Sequence, residues 1–189
     1  MARLPVVEVD VKVPEDVKIS IEGKKVRVEG PKGVLERAFD YAPVIIEYDE
    51  NSRVVKVFSY FPRRREKAMV GTIAAHIRNM IIGVTKGFVY RLKIVYSHYP
   101  INVRVEGNKV YIENFLGERA PRVAEIVGNV KVRVEQDDVV VEGINIEEVG
   151  QTAANIQQAT KIKDKDPRIF QDGIYLYERQ LGDVVKRII

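Results

Sequence analysis

Residues 161–179 read KIKDKDPRIFQDGIYLYER. Lys161, Lys163, Lys165 and Arg168 crowd one end of this stretch, and Phe170, Tyr175 and Tyr177 follow. Cations neutralise phosphates, and an aromatic ring or guanidinium plane stacks on an unpaired base, so the mixture suits a nucleic acid. Asp164 and Asp166 dilute the charge; they suit orienting the neighbouring cations or capping a turn. The plainer alternative is a solvated loop with Phe170 and Tyr175 anchored in a core. Phe170 is placed in the core, and Gly173 where a side chain would obstruct a close backbone approach.

A second basic cluster is Arg63, Arg64 and Arg65, at the start of an expected helix. Three cations at the positive end of a helix dipole cost about 0.3–1 kcal/mol each when exposed. Either Glu66, Asp49 or Glu50 offsets them, or they serve a phosphate or an acidic partner. GPKG (30–33) and NFLGE (114–118) lack the extra glycines, the Lys-Ser/Thr ending and the following helix of a phosphate loop. GPKG therefore reads as a tight turn with Lys32 exposed. His98 and Tyr99 are further candidates for RNA contact, against a structural role for a lone histidine. His76 reads as a packing or surface residue.

Catalysis finds little support. No acid pairs with a histidine or a nucleophile at a suggestive spacing, and the chain has no cysteine and two histidines. Asp137-Asp138 and Glu147-Glu148 read as a hairpin turn and a helix N-terminus, not as a Mg²⁺ site. No metal, cofactor or small-molecule substrate is expected. The lack of cysteine fits a reducing, cytoplasmic setting. The sequence shows no signal peptide and no apolar run near 18 residues, so no membrane association is expected.

The chain has 189 residues, 46% hydrophobic and 31% charged, enough to bury a core. Its net charge of +4 is uneven: residues 1–97 carry 18 basic and 12 acidic groups (+6), residues 98–189 carry 13 and 15 (−2). Nucleic-acid contact must therefore rest on local clusters.

The elements that would position these residues occur twice. VGTIAAHI (70–77) and VGQTAANI (149–156) are identical at five of eight positions. Each is preceded by a hairpin pattern, VKISIEGKKVRVEGPKG (17–33) and INVRVEGNKVYIENFLG (101–117), in which polar and apolar residues alternate around a glycine turn. A second strand pair follows, 44–58 and 130–143. GFVY (87–90) and GIYL (173–176) each mark a closing strand after the helix. Val70, Ala74, Ile77 and Ile81 make one helical stripe, and Val149, Ala153, Ile156 and Thr160 its counterpart. The pairs Ala74-Ala75 and Ala153-Ala154 suit close helix–sheet approach. Asn145 with Glu148 predicts a capping box, and Pro62 suits the first turn of the earlier helix. The expected fold is α+β: two tandem, duplicated domains, each a mainly antiparallel sheet with one helix packed on a face. The domains are expected at 1–97 and 98–178, with a tail at 179–189. Residues 15–95 and 101–177 should superpose, with Val70 over Val149 and Ile77 over Ile156.

GVTKGFVYRLKIVYSHYPINV (83–103), ENFLGE (113–118) and IQQATKIKDKDPRIFQDGIY (156–175) resemble one family. It is the large-subunit ribosomal protein numbered six in bacterial and nine in eukaryotic naming. The last segment matches the archaeal–eukaryotic branch and departs from the bacterial Tyr-x-Gly-Lys-Gly ending. The resemblance spans about residues 10–178. It implies a cytoplasmic structural constituent of the large ribosomal subunit, made of two duplicated domains. The second domain would bind large-subunit RNA beside the sarcin–ricin loop, near the docking site of translation factors, with neighbouring ribosomal proteins as further partners. Candidate RNA contacts are Lys161, Lys163, Lys165, Arg168, Gly173, Tyr175, His98, Arg63, Arg64 and Arg65. Arg168 is ranked above 63–65, because Pro167 stiffens its backbone and a guanidinium grips two phosphate oxygens. The rivals are a free-standing RNA-binding or ribosome-assembly factor, and a protein–protein adaptor favoured by the acidic balance of residues 98–189.

Overall fold

In KVRVEG, the strand β3 at Lys25–Gly30, Val26 and Val28 are wholly buried while Lys25, Arg27 and Glu29 face outward. Period-two alternation of this kind makes a strand with one dry face, and that face needs a cover. The computed structural model describes residues 5–166 and 168–188 and divides into two compact units, Met1–Lys86 and Gly87–Ile189.

In the first unit, β1 (Val6–Lys12), β2 (Lys18–Glu22), β3, β4 (Gly33–Ala38), β5 (Ile45–Asp49) and β6 (Val54–Tyr60) precede helix α1 (Arg64–Thr85). They form two antiparallel three-stranded sheets, β2-β3-β4 and β1-β6-β5. The helix packs on strands of both. Its stripe of Val70, Ile73, Ala74, Ile77 and Val84 is at most 1% exposed, against Val28, Phe39, Val55 and Val57. Each fully buried Val or Ile contributes roughly 1.5–3 kcal/mol. By length and composition α1 could span a bilayer. Here its apolar stripe faces the sheets, and Arg64, Arg65, Lys67 and Arg78 are exposed.

The second unit contains β7 (Phe88–Val95), β8 (Asn102–Glu106), β9 (Lys109–Glu113), a 3-10 turn at Phe115–Gly117, β10 (Arg122–Glu125), β11 (Lys131–Glu135) and β12 (Asp138–Gly143). Helix α2 (Ile146–Ala159), β13 (Gly173–Leu181) and β14 (Val184–Arg187) complete it. One sheet is β10-β9-β8 and the other β11-β12-β7-β13-β14. The duplication is present in the pairing. The β2-β3-β4 sheet corresponds to β8-β9-β10, and β1-β6-β5 to β7-β12-β11. Val70 and Val149, Ala74 and Ala153, and Ile77 and Ile156 take the same places, each at most 1% exposed.

Several expectations need correction. GFVY does not close the first repeat: β7 pairs with β12 and β13, so it opens the second unit as the counterpart of β1. The division accordingly lies at Lys86, not at residue 97. GIYL, in β13, has no counterpart among the described residues of the first unit, and residues 179–187 are not a separate tail but contain the end of β13 and the edge strand β14. Of the alanine pairs, Ala74 and Ala153 face the sheets, whereas Ala75 is exposed and Ala154 half-buried. Pro62 lies one residue before the cap Arg63 and so outside the first turn of α1. Asn145 does cap α2, accepting the Glu147 N–H at 3.1 Å. Glu148, however, takes the Asn145 side-chain amide (3.1 Å) and the Asn129 N–H (3.2 Å).

Neither helix has a basic residue in its last turn, so its C-terminal carbonyls need donors from elsewhere. In the first unit the GPKG turn supplies them. The Lys32 N–H donates to the Val84 carbonyl at 2.8 Å and its ammonium to the Lys86 carbonyl. In the second unit Nη1 of Arg122 donates to the carbonyls of Ala159 (2.9 Å) and Lys161 (3.0 Å). The Lys32 turn sits so close that a Cβ on Gly30 would meet Val84 Cγ2 at 2.7 Å and its carbonyl oxygen at 2.9 Å. Gly30→Ala should therefore destabilise the first unit by about 1–3 kcal/mol through overpacking. Gly71→Ala, at an exposed helical position with nothing within 4 Å, should stabilise it by about 0.5–1 kcal/mol. Urea unfolding of the two variants checks both signs.

Candidate nucleic-acid interface

The KIKDKDPRIF segment hangs between the end of α2 and the start of β13, and both attachments are fixed. Thr160, buried at the helix end, accepts the Ile174 N–H on Oγ1 at 3.0 Å. The Gln157 side-chain oxygen accepts the Leu176 N–H at 3.1 Å. Arg122 holds the Lys161 carbonyl while its own guanidinium lies 4.3 Å from the Phe115 ring centre and is gripped by both oxygens of Glu118 (2.6 and 2.8 Å). These hydrogen bonds hold the Glu118 carboxyl below its ordinary value. Lys161, Lys163 and Lys165 are exposed, and no carboxylate pairs with their ammonium groups among the described residues.

A layered cluster sits beside the lysines. Lys165 Nζ lies 4.7 Å from the centre of the Phe170 ring, and Phe170 stacks on His98 at 4.4 Å with 18° between planes. His98 Nδ1 donates to Asp172 Oδ1 at 2.8 Å, while the backbone N–H groups of Ser97 (3.1 Å) and His98 (3.2 Å) reach Oδ2. The Ser97 hydroxyl donates to Oδ1 at 3.2 Å. A carboxylate accepts, so Nδ1 must carry the proton. Asp172 is 1% exposed. Burial pushes its carboxyl up, but the donations from the His98 side chain, both backbone amides and the Ser97 hydroxyl outweigh it and set the value below the ordinary one.

Ser97, His98 and Asp172 are the residue types of a hydrolase triad, but both oxygens address the same ring nitrogen. A triad needs the serine on Nε2 and the carboxylate on Nδ1. The cluster lacks that arrangement; it fixes the connection after β7 to the start of β13.

The other candidates fall in distinct surroundings. Arg168 is engaged: its Nε and Nη2 grip Asp166 at 3.1 and 2.9 Å, and its N–H donates to the same carboxylate at 2.9 Å. Those hydrogen bonds lower the Asp166 carboxyl. Pro167 lies outside the described residues. The Tyr175 ring covers Gly173, where a Cβ would meet it at 2.8 Å, and the phenol donates to the Gln171 carbonyl at 3.2 Å. With Phe170, Val95 and Gln158, Tyr175 lines an open groove of about 720 Å³.

In the first unit, Arg63 is the cap residue of α1 and Arg64 and Arg65 its first helical residues, all exposed. Glu66 accepts the Arg63 N–H at 2.6 Å, and Asp49 caps its own turn through Ser52 and Asn51. Glu66, Asp49 and Glu50 thus leave the three guanidinium groups without a carboxylate partner among the described residues. His76 lies 3.3 Å from Arg37 of β4, as Asn155 donates to the Glu125 carbonyl of β10 at 3.0 Å. The aligned pair ties each helix to its outer strand.

Sequence reading missed Arg122, Ser97 and the role of Asp172. Arg122 acts on carbonyls 37 and 39 residues away and Asp172 on a histidine 74 away, separations that carry no periodic signal.

The same segments carry a family signature. The family model described as Ribosomal protein L6 matches residues 13–87 and again 99–173. The chain belongs to the ribosomal protein L6 family. Curated relatives named large ribosomal subunit protein uL6 agree. That of Aeropyrum pernix is 58% identical over 172 residues, covering 90% of this chain and 93% of the relative. Those of Archaeoglobus fulgidus (54% over 174 residues; 89% and 88%) and Methanobrevibacter smithii (52% over 171; 90% and 95%) are similar. The two matches are the two copies of the sheet-plus-helix unit. In this L6-family chain the first match runs past the end of α1, whereas the second ends at Gly173, so β14 and nearly all of β13 lie beyond the matched repeat.

Because the Asp172 carboxyl is lowered in the folded chain, its stabilising effect is complete above the ordinary value near 3.8 and is lost as pH falls through the folded value. Asp172→Asn, which replaces one acceptor oxygen with an amide, should lower second-unit stability by about 1–3 kcal/mol at pH 7. It should also flatten the acid limb of stability below about pH 4. Hydrogen exchange of β13 amides across pH checks both.

Proposed function

We propose that the chain is a cytoplasmic structural constituent of the large ribosomal subunit whose second unit holds large-subunit RNA beside the sarcin–ricin loop, close to where translation factors dock. Family membership supports the first part, since relatives at 52–58% identity over most of both chains bear the name large ribosomal subunit protein. A ribosomal protein family also answers the question of catalysis: the chain is not an enzyme. Ribosomal RNA and neighbouring ribosomal proteins are its partners.

The observation that carries the RNA reading is the run of exposed lysines 161, 163 and 165, which meet no carboxylate among the described residues, on a backbone secured at both ends. A phosphate contact made from a fixed backbone loses less conformational entropy than one made from a mobile loop. Residues 87–189 hold 15 basic and 15 acidic groups, so binding must use such a concentrated patch rather than net charge. Arg168 ranks below the lysines on this geometry, because a phosphate would have to displace Asp166 from its fork. Gly173, Tyr175 and His98 act as supports: Tyr175 covers Gly173, and His98 seats Phe170 beside Lys165.

Replacing Lys161, Lys163 and Lys165 together by alanine should leave far-UV circular dichroism unchanged and weaken binding to a sarcin–ricin-region RNA fragment. Three ammonium groups that no longer neutralise phosphates should lower the slope of log K against log salt by roughly two to three units. An unchanged slope would remove this patch from the interface. Co-sedimentation tests the setting: a constituent stays with large subunits through a high-salt wash, whereas an assembly factor washes off.

A further inference from the structure

Three guanidinium groups without carboxylate partners among the described residues stand at the start of α1; of the most exposed large rings of the first unit, one shares a groove with them and two directly precede them in the chain. Tyr60 (60% exposed) and Phe61 (64%) directly precede Pro62 and the arginines. Tyr41 (61%) faces Arg63 and Arg65 across an open groove of about 600 Å³, with Lys24 and Met69 also on its walls. Tyr60 is braced by Phe58 edge to face at 5.5 Å, and Phe61 is fixed by its N–H donating to the Pro5 carbonyl at 2.9 Å. Lys24 is held by the Ala42 carbonyl at 2.7 Å.

We propose that this groove, together with the exposed Tyr60, Phe61 and Arg64 of the chain entering and opening α1, is a second RNA surface, which takes an unpaired stretch of RNA with phosphates on Arg63, Arg64 and Arg65 and bases against Tyr41, Tyr60 and Phe61. The surface is in the first unit and does not depend on the lysine patch of the second. Three features favour RNA over an acidic protein. Guanidinium forks match phosphate oxygens in pairs. Exposed rings whose backbone is already fixed offer stacking faces that any base can use. Apart from Tyr41, the apolar residues lining the groove are Ala42, Pro43 and Met69, a small set for the buried anchors that a protein interface needs, while Lys24, Arg63 and Arg65 outnumber Asp40 and Glu66 along it. The helix start itself tolerates replacement of the arginine side chains, since Arg63 meets Glu66 through its backbone N–H.

The test uses the full chain already carrying Lys161→Ala, Lys163→Ala and Lys165→Ala, so that the second-unit patch neither masks nor mimics the result. The probe is a twelve-nucleotide oligouridylate. Ultraviolet crosslinking followed by peptide mapping should place uridine on Tyr41, Tyr60 or Phe61. Changing Arg63, Arg64 and Arg65 to alanine should weaken binding at least tenfold and lower the salt slope by about two units, as neutralising three fewer single-strand phosphates implies. Changing all three to lysine should keep the slope but still weaken binding severalfold, because an ammonium cannot fork across two oxygens. Crosslinks confined to residues 87–189, or unchanged affinity in the alanine variant, would overturn the proposal. So would an acidic amphipathic peptide that binds through the arginines while the oligouridylate does not bind; the groove would then be a protein-docking face.

Discussion

A carboxylate taken out of water must be met by donors, and the second unit is organised around one that is. Asp172 receives two backbone N–H groups, a hydroxyl and an imidazole, all from Ser97 and His98. The bonds join the segment leaving β7 to the segment entering β13, the two strands that pair at the middle of the five-stranded sheet. Because Asp172 holds His98, His98 holds Phe170, and Phe170 lies against Lys165, one buried charge determines where the basic loop can lie. The electrostatics of the surface are thus set from within the core.

The two units solve a common problem with different chemistry. A helix laid across sheets leaves its last carbonyls facing protein, and neither sequence provides a cation in the final turn. In one copy a lysine from a two-residue turn closes the end; in the other an arginine from the outer strand does. The duplicated pattern preserved the requirement, not the residue. A similar substitution of means appears at His76 and Asn155, which tie equivalent helix positions to equivalent outer strands.

Much of the architecture was legible because it is periodic. Alternation in 17–33 and 101–117 reports one dry face, and the stripes through Val70 and Val149 report which side of each helix is buried. Strand partnership carries no such local mark. GFVY has the same appearance whether it closes one repeat or opens the next, and only pairing with β12 and β13 decides it. At the candidate surface, residue types were readable but their engagement was not. Arg168 and Arg64 are equally basic in the sequence; one is gripped by Asp166 two residues away, and the other meets no carboxylate among the described residues. The spacing Asp-x-Arg already allowed that grip, since an aspartate orienting a neighbouring cation was one of the readings open to it.

The placement of β7 has a consequence for how the chain acquires its shape during synthesis. β7 leaves the translation machinery directly after α1, when every strand of the first unit is already available. Its own neighbours, β12 and β13, begin only at Asp138 and Gly173. For that interval Phe88, Leu92 and Ile94, buried in the finished protein, have no sheet to join. Closing the first unit needs pairings within some sixty residues, whereas closing the second waits for contacts spanning about eighty-five. Long-range pairing of this kind is slow and leaves apolar strand surface exposed meanwhile. The nascent second unit therefore depends on its last strands to cover a strand made first.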